Sequence, residues 1–245
     1  MVQIIKISHP SGKLLILDFY SVFIFIRSVL RKLHQKLGKD PLFNVLELLE
    51  DQGIKIIELE GDDSIDGFST WVNESIPVIG LNLNKKKSLD RYRFTVLHEL
   101  GHLLLELKNF SEKEQENLCN YFAGALLLPH SAIEHELGLK RKQVSLNELR
   151  AIKKQYGISM QATVYRLKEL HIISKAVYHR FFQFMRDNGY KKDESGLAIY
   201  HGEEEALRFD QLLGQALIEQ HITVSKAAAL KNMRITQFRK EFLMG

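Results

Sequence analysis

A chain of 245 residues with 45% hydrophobic residues can build one sizeable core, or a core with a small module beside it. A single cysteine excludes an internal disulfide framework and is typical of a reducing cytoplasm. The apolar run from Val22 ends at Arg27, too early to span a bilayer, and Asp18 without a small-residue cleavage site argues against a signal peptide. We therefore expect a cytoplasmic protein that does not bind membranes.

The first third of the chain predicts a hairpin, a helical stretch and a small sheet. Residues 3–7 and 14–17 flank the turn His9-Pro10-Ser11-Gly12, which predicts two short strands. A mostly helical stretch follows to about residue 50, interrupted at residues 38–41. Three strand candidates come next, at residues 54–59, 67–72 and 77–81. We predict that they form a small antiparallel sheet whose edge, residues 77–81, holds an extended peptide by strand addition.

The next predicted helix, from about residue 90 to about residue 107, carries the most informative motif, His98-Glu99-Leu100-Gly101-His102, between apolar flanks at residues 94–97 and 103–105. Residues four apart share a helix face, so His98 and His102 can direct ring nitrogens at one metal ion. Glu99 lies roughly 100° around the helix, where it can hold a water beside the metal without being a ligand. This spacing is typical of zinc metallopeptidases, with two ligands and a general base on one turn.

Glu116 is the predicted third ligand. Ser111 and Glu114 form a capping-box pattern, which predicts a second helix over residues 112–128. A short connection makes the two helices antiparallel neighbours, with His102 and Glu116 each about 7 Å from it. Two histidines and a glutamate are sufficient for one zinc ion per chain. Glu112 shares a face with Glu116 and is the alternative ligand, whereas Glu114 is assigned to the cap.

Further residues on these two helices are secondary candidates. Asn120 lies one turn after Glu116 and is either a hydrogen-bond partner of a ligand or an ordinary polar residue. Cys119 is interpreted as a buried core cysteine rather than a redox sensor. The donor that would stabilise an oxyanion is not identified, and the candidates are Tyr92, Arg93, Tyr121 and His130.

Several of these motifs, in order and spacing, resemble the ImmA/IrrE family of bacterial metallopeptidases. The shared features are the His98–His102 helix with its flanks, Glu116 four residues before Asn120, the pair Phe122-Ala123 and the ending Leu126-Leu127-Leu128-Pro129. Asp66-Gly67-Phe68-Ser69 and Leu81-Asn82 look like the family's strand region, and the resemblance covers roughly residues 35–175. Glu116 fits the family register and Glu112 does not. The resemblance implies an endopeptidase whose protein substrate is typically a helix-turn-helix transcriptional repressor of stress or mobile-element genes.

The last hundred residues predict helices. Residues 147–156 and 160–170 have helix-turn-helix spacing, and we favour their packing on the catalytic core. Residues 140–180 hold ten bases and two acids, a net charge of +8 against +4 for the whole chain. This charge is equally consistent with DNA binding, with a solvated helical face and with the docking of an acidic partner. Residues 187–202 are typical of a loop, a helix is expected from Glu203, and residues 222–232 and 235–243 form another helical pair.

The sequence thus predicts an α+β protein that is mainly helical, with a small antiparallel sheet beside the metal-binding helix. The expected parts are a metallopeptidase domain (1–135), helix-turn-helix-like helices packed on it (140–175), a linker (176–202) and a C-terminal helical module (203–245). The predicted function is a zinc-dependent endopeptidase with Glu99 as its base, acting on a cytoplasmic helix-turn-helix repressor. The alternative is a DNA-binding transcriptional regulator with a vestigial or structural metal site, in which residues 140–180 contact DNA.

Overall fold

The computed structural model describes residues 40–62, 64–86 and 88–243, together with two N-terminal strands at Ile5–Ser8 and Leu14–Leu17. The chain divides into two compact units, residues 1–205 and residues 206–245. The helices predicted before residue 38 and the turn between the two N-terminal strands lie outside the described residues. Within the described part of the chain, no helix combines the length and the apolar character needed to cross a membrane.

The first unit is an α+β fold, as the sequence predicted. Its elements are β1 (Ile5–Ser8), β2 (Leu14–Leu17), α1 (Val45–Asp51), β3 (Lys55–Leu59), β4 (Gly67–Val72), β5 (Ile76–Asn82), α2 (Leu89–Leu104), β6 (Leu105–Glu106), α3 (Glu112–Leu127), α4 (His130–Leu137), α5 (Leu146–Tyr156), α6 (Met160–Glu169) and α7 (Lys175–Asp187). The predicted N-terminal hairpin is confirmed, because β1 and β2 pair antiparallel. β1 also pairs with β6, so α2 ends about three residues earlier than its apolar pattern predicted.

The sheet beside α2 is mixed, so the prediction of an antiparallel sheet is wrong for one of its pairs. Its strand order is β3-β5-β4, with β4 antiparallel and β3 parallel to the central strand β5. A tight turn with positive φ at Asn73 and Glu74 joins β4 to β5. β3 precedes β4 in the chain, so it is not joined directly to its partner β5. Residues 77–81 therefore lie in the centre of the sheet, and the prediction that they form a peptide-binding edge is wrong.

The segment that follows α6 does not match the linker predicted over residues 176–202. Residues 175–187 form α7, and two later carboxylates pack into the first unit. Glu194 accepts hydrogen bonds from Lys153 Nζ at 3.2 Å and from Met160 N at 2.7 Å. Glu204 pairs with Arg93 and accepts from Val45 N at 2.8 Å, so the helix predicted from Glu203 begins only at Arg208.

The second unit is a small helical bundle. Its elements are α8 (Arg208–Ile218), α9 (Val224–Leu230), α10 (Ile235–Phe238) and a π-helical turn at Arg239–Leu243 that continues α10. Its buried core consists of Leu213, Ala227, Ala228 and Phe238. The predicted helical pair over residues 222–232 and 235–243 is thus present in the fold.

Candidate metal centre

Three side chains from α2 and α3 converge on one point. The His98 and His102 Nε2 atoms are 3.1 Å apart, and each lies 3.2 Å from a carboxylate oxygen of Glu116. Within the described ranges, these three residues form the group whose ligand atoms could hold a metal ion. The side chains are 14%, 27% and 49% exposed, so the point is open to solvent on the Glu116 side. The alternative ligand Glu112 is not part of this group.

The spacing of the ligand atoms suits a tetrahedral metal ion. Ligand atoms about 2.0–2.1 Å from a tetrahedral zinc ion lie about 3.3–3.4 Å from one another. The observed separations of 3.1–3.2 Å are close to this value. Three protein ligands leave a fourth position for water or substrate, which is the property of a catalytic rather than a structural site. The residues therefore fit a catalytic metal ion.

Asn120 fixes the orientation of the first histidine. Its Oδ1 lies 3.0 Å from His98 Nδ1. Because an amide oxygen can only accept, this contact requires the proton on Nδ1 and leaves the Nε2 lone pair directed at the metal point. Asn120 is thus a hydrogen-bond partner of His98, the first of the two interpretations that the sequence left open.

Gly101 allows α3 to approach α2 closely enough to bring Glu116 to the histidines. A Cβ atom at Gly101 would lie 3.2 Å from the backbone Cα and from the Sγ of Cys119, tighter than ordinary packing permits. Cys119 is fully buried at this contact. Burial raises the pKa of its thiol, and the Glu116 and Glu99 carboxylates raise it further, so the thiol stays protonated and unreactive. It is a core cysteine, as the sequence indicated.

The strand β4 contacts Glu99 from the other side of α2. Ser69 Oγ donates a hydrogen bond of 2.7 Å to Glu99 Oε2, which holds the carboxylate of an otherwise buried residue in one orientation. Two residues earlier, a Cβ atom at Gly67 would lie 2.9 Å from Thr95 and 3.3 Å from Glu99 Cγ. The glycine therefore permits the close contact between strand and helix on which the hydrogen bond depends. Sequence reasoning assigned no role to Ser69, although the family resemblance included it.

The outer edge of β4 carries backbone groups that can pair with another strand. In an antiparallel ladder, every second residue pair is a hydrogen-bonded one. Asn82 N donates to Asp66 O at 3.1 Å, so Phe68–Gly80 and Thr70–Val78, two and four residues along β4, are hydrogen-bonded pairs as well. The N–H and C=O groups of Ser69 and Trp71 then point away from β5, toward the open edge. By the alternation of a strand, Trp71 lies on the same face as Ser69, and it is 46% exposed.

Three of the four candidates for an oxyanion donor have structural partners. The Tyr92 hydroxyl donates to Glu58 Oε1 at 2.7 Å, and Arg93 is fully buried against Glu204 and the carbonyl oxygen of Leu42. The third is Tyr121. The Tyr121 ring faces the Arg166 guanidinium at 5.5 Å, and burial raises the pKa of its phenol, which therefore keeps its proton.

A helix with two histidines and an adjacent glutamate, paired with a glutamate-bearing helix and flanked by a small sheet, has the arrangement typical of metallopeptidase sites. Residues 49–168, just under half of the chain, match the model of a peptidase family described as the IrrE N-terminal-like domain. The chain therefore contains an IrrE N-terminal-like domain, and the resemblance to the ImmA/IrrE family is confirmed. None of the curated proteins compared with the chain matches it.

Proposed function

We propose that the protein is a zinc-dependent endopeptidase that cleaves one specific cytoplasmic protein, a helix-turn-helix transcriptional repressor, and so switches on stress-response or mobile-element genes. The observation that carries the proposal is the convergence of His98, His102 and Glu116 within 3.2 Å, with Glu99 on the same turn of helix. Two imidazoles and a carboxylate suit zinc. The identity of the substrate rests on the family resemblance.

The chemistry divides between the metal and Glu99. A zinc ion held by His98, His102 and Glu116 would lower the pKa of water toward neutrality and polarise the scissile carbonyl. Glu99 would accept the proton of the attacking water and then deliver it to the leaving amine. Ser69 supports this role as a positioning residue, because its hydroxyl holds one oxygen of the Glu99 carboxylate.

The edge of β4 is the proposed substrate-binding edge. An extended segment of the substrate would pair with the outward N–H and C=O groups of Ser69 and Trp71, which gives affinity through backbone hydrogen bonds alone. The exposed Trp71 ring would then contact a substrate side chain and contribute to selectivity. Endopeptidase activity requires such binding in the middle of a chain, and an open strand edge imposes no requirement for a free terminus.

The proposal is tested by labelling new N-termini in extracts of the cells that encode the protein, from stressed and unstressed cultures. Protein stripped by a chelator and reloaded with zinc should produce one or a few new N-termini, located in a single DNA-binding protein. The chelated protein should produce none, because removal of the metal removes both carbonyl polarisation and water activation. Identical N-termini with and without zinc, or none under any condition, would contradict the proposal.

A further inference from the structure

We propose that the second unit, residues 206–245, binds duplex DNA through a helix-turn-helix formed by α9 and the helical residues 235–243, here called the reading helix. This inference goes beyond the proposed peptidase function and does not depend on it.

The turn between the two helices has the geometry that a helix-turn-helix needs. Asn232 takes the left-handed conformation, with φ 53°, two residues after α9 ends at Leu230. Met233 N donates to Ala228 O at 2.9 Å, and Asn232 N donates to Ala229 O at 3.1 Å, which reverses the chain within one turn. Asparagine is one of the few residues that adopt this conformation at low cost. A short turn of this kind is the defining connection of DNA-binding helix pairs.

The core of the unit determines which face of the reading helix is free. Ala227 and Ala228 of α9 are buried together with Phe238, and their small side chains let the two helices approach closely. With Phe238 inward, the helical repeat directs Thr236 and Lys240 outward, with Gln237 and Arg239 at their sides. All four of these residues are exposed. The face opposite the core is therefore polar and basic.

The exposed residues of the reading helix include types that read and hold DNA. Arginine and glutamine side chains form paired hydrogen bonds with guanine and adenine edges in the major groove. Lysine and arginine also neutralise phosphates. Residues 223–243 contain five basic residues and one acidic residue, Glu241, which accepts from Gln237 Nε2 at 3.1 Å. Lys231 is paired with Asp210 at 2.6 Å, so the charge available to DNA comes mainly from the reading helix and Arg234.

The first helix-turn-helix-like pair, α5 and α6, is packed against other parts of the first unit. The first N–H groups of α6, at Met160 and Gln161, donate to the buried carboxylate of Glu194 at 2.7 and 3.2 Å. Lys153 and Arg166 are each 2% exposed, and Arg141 is paired with Glu148. Two of the ten bases at residues 140–180 are thus buried in the fold and a third is held by an ion pair, so these three are not available to DNA. The observations favour the second unit as the DNA-binding surface.

The test compares two double substitutions in the full chain that remove the same charge. Arg239→Ala with Lys240→Ala alters the reading helix, and Lys140→Ala with Lys142→Ala alters exposed bases of the first unit. Each protein is used to select from a pool of random-sequence duplexes, and its affinity for the enriched duplex is measured between about 50 and 200 mM salt. Thermal unfolding of each variant shows whether it remains folded.

Wild type should enrich a short sequence motif. The reading-helix variant should bind the enriched duplex at least roughly tenfold more weakly and with a smaller salt dependence. The Lys140/Lys142 variant should stay within about twofold of wild type, because it loses the same net charge away from the reading helix. Equal weakening by the two variants, or no enriched motif, would overturn the proposal. So would unchanged DNA binding with slower cleavage of a protein substrate, because the surface would then grip the substrate.

Discussion

Replacement of Glu99 by glutamine should abolish peptide-bond hydrolysis and leave metal content and thermal stability unchanged. Glu99 is not among the converging ligand atoms, so its loss does not remove a metal ligand. Glutamine keeps the shape and can still accept the Ser69 hydrogen bond, but an amide cannot take a proton from water. A positioned general base contributes about 10²–10⁴-fold to such a reaction, so kcat should fall by that factor. The measurements are steady-state cleavage of the identified substrate and elemental analysis.

Ser69→Ala is the matched control for this prediction. It removes the 2.7 Å hydrogen bond to Glu99 but leaves the carboxylate in place, so the base is misoriented rather than lost. A hydrogen bond to a charged group is worth about 1.5–3 kcal/mol, so kcat should fall by about 10- to 150-fold, with KM little changed. If Glu99→Gln retains more activity than Ser69→Ala, Glu99 is not the base.

Glu204→Ala should cause the largest loss of stability of any single substitution considered for this chain. Arg93 and Glu204 are both fully buried as a pair, and Glu204 also accepts from the first N–H groups of α1. Removing the carboxylate leaves the Arg93 charge buried without its counterion, which costs about 3–5 kcal/mol. Urea unfolding, followed by fluorescence of the single tryptophan, Trp71, in the first unit, measures this loss.

Glu203→Ala serves as the comparison, because Glu203 is exposed and adjacent in the chain. Its free energy of unfolding should stay within about 0.5 kcal/mol of wild type. Similar urea midpoints for Glu203→Ala and Glu204→Ala would contradict this prediction. Residues 188–205 would then not stabilise the first unit, as expected of a linker.

The parts of the site that were predictable from sequence depend on local geometry. A helical repeat of 3.6 residues places His98 and His102 on one face, and the capping box at Ser111, which the structure confirms, sets the start of α3. The position of Glu116 then follows from counting residues along two antiparallel helices. Each of these steps uses residues fewer than about twenty apart, where the chain itself determines the spacing.

The parts that were not predictable depend on contacts between distant segments. Arg93 and Glu204 are 111 residues apart, and no local pattern pairs them. An acidic run such as residues 203–205 favours a helix start. Glu204 instead pairs with the Arg93 guanidinium, because a buried charge needs a counterion. The parallel pairing of β3 with β5 was likewise not predictable, because alternating hydrophobicity does not indicate which neighbouring strand β3 pairs with.

The most direct test of the account is the zinc content of purified wild type, Glu116→Ala and Glu112→Ala after zinc is resupplied and excess metal is removed. The two variants lose the same group one helical turn apart on α3, so any difference between them reports the ligand. We expect about one zinc per chain in wild type and Glu112→Ala, and little in Glu116→Ala. Wild type without zinc, or Glu116→Ala with as much zinc as wild type, would contradict the metal centre on which the proposed function rests.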